Sequence, residues 1–199
     1  MEPRERERVA ALVRSAQAGD ARSFAEIVRA FQDRVVAFAT ARLGDYHLAE
    51  DAAQEAFVDA YRQLGAVRSP EAFSNWLHTI IVKQCDRITR RKRHPTVTLD
   101  YALGLASADP SPHDVVEARE SEHALRAAIG TLSQTEREAV LLYYMGGRSH
   151  AEAAAFLGVT SNVVKTRLYS ARQRLRRHMS DIEKRLDDAR PSNNDSLYC

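Results

Sequence analysis

Cysteine is nearly absent from this chain: 199 residues contain two, Cys85 and Cys199. They lack metal-ligand spacing, so a reduced compartment is the simplest setting, and Cys85, inside a helical pattern, reads as a small core residue. No stretch approaches the roughly 20 apolar residues that span a bilayer. The opening MEPRERERVA has none of the apolar core of a signal peptide. A soluble, cytoplasmic protein without direct membrane insertion is expected. No apolar–polar alternation argues for a sheet, and there is no internal repeat. Also missing are H-E-x-x-H, a phosphate-cradling glycine loop and a nucleophile elbow, so neither an enzyme nor a bound cofactor or metal is expected. Net charge is small as well, since 29 Lys and Arg against 27 Asp and Glu leave +2.

That average hides strong segregation. Lys83, Arg87, Arg90, Arg91, Lys92 and Arg93 form one basic run, and Lys165 to Arg177 another. Acidic residues gather at Glu50, Asp51, Glu55 and Asp59. Two basic surfaces point to nucleic acid and the acidic one to a different partner.

Residues 149–178, SHAEAAAFLGVTSNVVKTRLYSARQRLRRH, carry the most information. Ser149 and Glu152 have capping-box spacing. Gly158 suits a left-handed helix stop, and Thr160 or Ser161 can cap the next helix. On that helix Val164, Leu168, Ala171 and Leu175 share one side, while Asn162, Thr166, Tyr169, Gln173 and Arg176 oppose them. Lys165, Arg167 and Arg172 add positive charge. A preceding helix opens on a second capping box, Ser133 and Glu136, and brings Ala139, Val140, Leu142, Tyr143 and Met145. Three such helices can share a small core, with the last one in a DNA major groove as in a helix-turn-helix. A basic amphipathic helix can also be a merely solvated one.

The first half reads as helical to about Arg93. Phe24, Ile27, Val28, Phe31, Val35 and Phe38 keep one side of a helix capped by Asp20. Gly44-Asp45 divides it from a helix reaching about Leu64. There Asp51, Gln54, Glu55, Val58 and Arg62 point one way, and Ala53, Phe57, Ala60 and Leu64 the other. The outward set is an acidic patch for a basic partner, or an ordinary solvated face. Ser69-Pro70 then offers a cap and a first helical position. Phe73, Leu77, Ile80, Ile81 and Ile88 form the buried side of that helix, and Trp76, Lys83, Arg87 and Arg90 line its edge. A Trp beside a basic stripe can hold a single strand by stacking and phosphate attraction; the alternative is that Trp76 is core. Residues 95–115, PTVTLDYALGLASADPSPHDV, have three prolines and no Lys or Arg, and read as a flexible linker. The expected organisation is all-α. Two small helical domains, 1–94 and 116–182, flank the 95–115 linker and precede a disordered tail, 183–199.

Together these pieces resemble a bacterial RNA polymerase sigma factor of the extracytoplasmic-function (ECF) class. AEDAAQEAFVDAYRQL at 49–64 and FSNWLHTIIVKQCDRITRRKR at 73–93 look like sigma region 2. TLSQTEREAVLLYYMGG at 131–147 and the helix-turn-helix look like region 4. The resemblance implies that Asp51, Gln54 and Glu55 bind core RNA polymerase. It implies that the Trp76, Lys83, Arg87 and Arg90 edge holds and helps melt the −10 element as single-stranded DNA. It further implies that Asn162, Lys165, Thr166, Arg167, Tyr169 and Arg172 read the −35 element as duplex promoter DNA. An anti-sigma factor is implied as a further partner. Lys83 stands where many relatives carry Asn, and Asn162-Val163 where many carry Gly-Thr. Two other readings are a stand-alone helix-turn-helix regulator, which leaves the first domain unexplained, and a metal-dependent nuclease built on Asp51, Glu55 and His47.

Overall fold

The computed structural model describes residues 3–91, 125–146 and 149–189, with 181–189 described by their backbone alone. The 95–115 linker, the start of the second domain at 116, and residues 190–199 lie outside the described residues. The first block consists of α1 (Pro3–Gln17), α2 (Ala21–Leu43), α3 (Tyr46–Gln63) and α4 (Phe73–Arg91). The second consists of the helical residues 125–130 (α5), α6 (Gln134–Tyr144), α7 (His150–Leu157) and α8 (Ser161–Ala189). Among the described residues there is no strand.

Helix boundaries fall where local chemistry demands them. The Asp20 carboxylate accepts from the Ser23 hydroxyl at 2.7 Å and the Arg22 N–H at 3.0 Å, which holds its carboxyl below the usual range. Gly44 takes the left-handed φ of 70° that ends α2, and Asp45 accepts from the Leu48 N–H to begin α3. Both capping boxes form, Ser133 with Glu136 and Ser149 with Glu152. Burial resists ionisation of Glu136, but the Ser133 bonds and Arg174 outweigh it and hold its carboxyl below the usual range. Thr160 is the cap of α8, accepting from the Val163 N–H at 3.4 Å.

Two boundaries differ from expectation. Pro70–Ala72 make a 3-10 turn, so the α-helix begins only at Phe73. Ser69 makes no side-chain cap; its hydroxyl donates to Glu71, a carboxylate already tied to Arg14 at 2.9 Å. Helix α8 runs to Ala189, past residue 183 where the sequence reading starts the tail. Glu183, Lys184, Arg185 and Leu186 are strong helix formers, and Pro191 disfavours helix only at the residue before it.

The two blocks pack against each other. Helix α2 buries Ile27, Phe31, Val35 and Phe38 in a core that runs into the second block, while its Ala37 and Ala41 form a separate cluster with Ile129 and Leu141. Helix α7 lies on α4, where Phe38, His78 and Phe156 form a ring cluster with centroids 4.8 to 5.9 Å apart. Arg42 of α2 reaches Asp86 of α4 at 2.9 Å and Glu138 of α6 at 3.5 Å. Arg34, 1% exposed, stacks on Phe31 at 4.4 Å, donates to the Ala30 carbonyl and lies 3.9 Å from Glu152 of α7.

Burial in the ring cluster, reinforced by Arg42, lowers the His78 pKa from 6.5 to about 4. Below pH 6.5 an opened chain therefore binds a proton that the packed chain refuses, so packing loses stability as pH falls toward 4. Between pH 7 and pH 5 the loss is on the order of 1 kcal/mol, since the imidazole is only partly screened from solvent. Urea unfolding across that range should show it, and His78→Phe should remove this component.

Candidate nucleic-acid interface

Helix α8 presents its outer side as the sequence pattern requires. Val164, Leu168 and Ala171 are buried against α6 and α7. Asn162, Lys165, Thr166, Tyr169 and Arg172 are exposed, Tyr169 at 65%, and Arg167 is half-buried. The Thr166 hydroxyl donates to the Asn162 carbonyl at 2.9 Å, whereas the Arg172 guanidinium donates to the Tyr144 hydroxyl at 3.3 Å. One side thus carries two cations, an amide and a phenol, which together can contact phosphates and base edges.

The turn that aims α8 rests on Gly158, whose φ of 67° favours glycine. A Cβ there would also stand 2.6 Å from Asn75 Oδ1 of α4. The glycine therefore serves both the helix-turn-helix bend and the contact between blocks.

On α4, Lys83, Arg87, Arg90 and Arg91 are exposed and line one shallow groove. Trp76 is half-buried, its ring centroid 5.6 Å from that of Phe73, and it packs on the core. On α3, Asp51, Gln54 and Glu55 are exposed while Ala52, Ala53, Ala56 and Ala60 are buried, so short side chains bring α3 close to its neighbours. Phe57 is half-buried against the core. Glu55 lies 3.6 Å from Arg87, and Asp59 accepts from Gln84, so acidic face and basic stripe adjoin. The Glu55–Arg87 pair is solvated and worth about 0.2 to 1 kcal/mol, so it yields readily to a stronger partner.

Several features were not read from the sequence. An open, mostly apolar groove of about 730 Å³ continues the outward side of α3, lined by Phe24, Val28, Phe57, Val58 and Tyr61 with Arg29 and Arg62. Its signal was Tyr61 beside an otherwise polar face. Arg34 and Arg42, which join the blocks, were also missed; an arginine between Phe31 and Phe38 in an apolar register was the available clue. Among the described residues no three His, Cys, Asp or Glu side chains are grouped to hold a metal ion, and His47 instead lies 3.8 Å from Glu50. No helix of the described residues is long and apolar enough to cross a membrane.

An all-α chain with a helix-turn-helix at one end and a second basic stripe on another block has the build of a DNA-reading transcription protein. Residues 27–94 match the family model described as Sigma-70 region 2, and residues 122–175 the one described as Sigma-70, region 4. The ECF RNA polymerase sigma factor SigM of Mycobacterium tuberculosis is 35% identical over 161 residues, covering 80% of this chain and 79% of that protein. The probable RNA polymerase sigma factor RfaY of Xanthomonas campestris pv. campestris is 34% identical over 169 residues; the match takes in 82% of this chain but spans only 42% of that protein. Two solved structures share the fold. CnrH, in complex with the cytosolic domain of CnrY, has a TM-score of 0.61 and 23% identity, covering 87% of this chain and 98% of that one. The sigma factor RpoE, in complex with the anti-sigma factor NepR from Bartonella quintana, has a TM-score of 0.53 and 21% identity, covering 80% and 98%. The chain belongs to the sigma-70 family of RNA polymerase sigma factors, in its ECF class.

Substituting Gly158→Ala should destabilise the fold by about 1 to 2 kcal/mol, from the left-handed strain alone. Asn75→Ala in the same chain should recover only the steric part of any further loss, as read by urea unfolding.

Proposed function

We propose that this chain directs promoter-specific transcription initiation, docking on core RNA polymerase through α3 and reading two promoter elements with α4 and α8. The observation that carries this reading is the pair of separate basic surfaces, one on each block, beside an acidic face on a third helix. Asp51, Gln54 and Glu55 form the polar part of the polymerase surface. The groove at Phe57, Val58 and Tyr61 supplies apolar anchorage, the usual pairing of an apolar centre with a polar rim. Trp76, Lys83, Arg87 and Arg90 take the −10 element as single-stranded DNA. Stacking of an extruded base on an aromatic ring, worth roughly 1 to 3 kcal/mol, offsets an unpairing cost of similar size. Asn162, Lys165, Thr166, Arg167, Tyr169 and Arg172 take the −35 element in the major groove. The protein supplies recognition, and bond chemistry is left to polymerase.

Promoter and polymerase put its work in the cytoplasm. An anti-sigma factor is a further partner in this reading, supported by the RpoE–NepR complex of the same fold. A stand-alone regulator would leave α3 and the α4 stripe without a role.

Purified chain and core polymerase should initiate run-off transcription from promoters selected out of a library. Asp51→Lys with Glu55→Lys should lower core-polymerase binding at least tenfold by roughly the several kcal/mol of misplaced like charge, while a stand-alone regulator would be unaffected. Lys165→Ala should lower the log–log salt slope of holoenzyme–promoter binding by about 1 if that side chain meets a phosphate.

A further inference from the structure

We infer that Tyr144 is a positioning residue for Arg172, holding its guanidinium on the DNA-facing side of α8 without neutralising it, and so sets base discrimination at one place in the −35 element. This rests on the proposed role of α8. Tyr144 is the last residue of α6 and is 59% exposed, yet its ring is held in place. It packs edge-on against Tyr143 at 5.1 Å, and Tyr143 stacks on His150 of α7 at 4.8 Å. From this aromatic support its hydroxyl accepts the Arg172 hydrogen bond at 3.3 Å, tying the end of α6 to the outer side of α8.

The chemistry of the partner matters. Arg174 of the same helix lies 3.4 Å from the Glu136 carboxylate, and Arg87 lies 3.6 Å from Glu55. Each of those guanidiniums has its charge balanced by its neighbour. The hydrogen-bond partner of Arg172 is a neutral phenol, so its full charge persists while one of its five N–H donors is engaged. The remaining donors keep the planar fork that matches guanine O6 and N7. A long exposed arginine loses side-chain entropy when it docks, and a tether that pre-sets its direction lowers that loss. The Tyr144 hydroxyl, having accepted from Arg172, still has its own O–H to donate.

The test uses holoenzyme formed from the full chain and bacterial core RNA polymerase, on a promoter isolated from a randomised library by the unaltered protein. Each −35 base pair is then varied in turn. Tyr144→Phe keeps the ring and its packing and removes only the hydroxyl. It should reduce discrimination at one base pair about threefold to tenfold, the effect of one hydrogen bond, with little change at the others. A purely structural defect would instead weaken every sequence alike. In the Arg172→Ala background, Tyr144→Phe should add nothing. An equal loss in both backgrounds would make Tyr144 an independent contact and overturn the positioning role. Unchanged discrimination in Tyr144→Phe, with a clear loss in Arg172→Ala, would overturn it too while leaving Arg172 as a DNA contact. No effect of Arg172→Ala would remove both.

Discussion

Helix α2 has to satisfy two opposite apolar surfaces at once, and the arrangement of the molecule follows from that. Its large side chains Phe31 and Val35 fill the first block and Phe38 reaches Phe156 of the second, whereas its small ones, Ala37 and Ala41, leave room for Leu141 and Ile129. A helix with one apolar stripe would have lost the α6 side of this seam. The small–large division around the same axis brings α6 to α2 and, through the connected turns, α7 to α4. The helix-turn-helix is therefore oriented by the first block as well as by its own three helices.

The seam between the blocks mixes apolar rings with buried ions. Arg42 serves carboxylates from both blocks, and Arg34 is fully enclosed beside Phe31 and Glu152. Enclosed ion pairs add little net stability, because removing charge from water costs about as much as pairing returns. They specify one orientation instead, since a shifted seam would strand a charge. Such a joint is well defined by its ions, while its strength comes from the apolar residues around them. Elements centred 35 and 10 positions before a start site are about 85 Å apart at 3.4 Å per base pair, while α8 itself, at 29 residues, is roughly 44 Å long. On the proposed reading, two grips that far apart call for a seam that can open.

Much of this was legible in the chain before any coordinates. Capping boxes at Ser133 and Ser149, the stop at Gly158 and the periodic apolar sides of α2, α4 and α8 are local signals, fixed by residues within a turn or two of one another. The exposed positions Asp51, Lys83 and Lys165 followed from the same periodicity. What stayed hidden depends on partners far along the chain. Nothing near Arg42 announces Glu138, and nothing near His78 announces Phe156. The same holds for the groove at Tyr61, which exists only because α2 and α3 run side by side. The start of α4 was misplaced for a similar reason, because Ser69 answers to a glutamate anchored by an arginine on α1. Helix α8 outruns its expected end because the apolar pattern fades before helix propensity does.

Cys85 is enclosed in the packed core, and burial, offset only in part by Arg42, pushes its thiol up to about 12. At neutral pH the thiol therefore stays protonated, and the reactive thiolate is rare. A thiol-directed reagent finds this sulfur inert for as long as the helices stay together. With Cys199 changed to serine, the rate of alkylation becomes a direct count of how often the protein breathes open, available without attaching any probe.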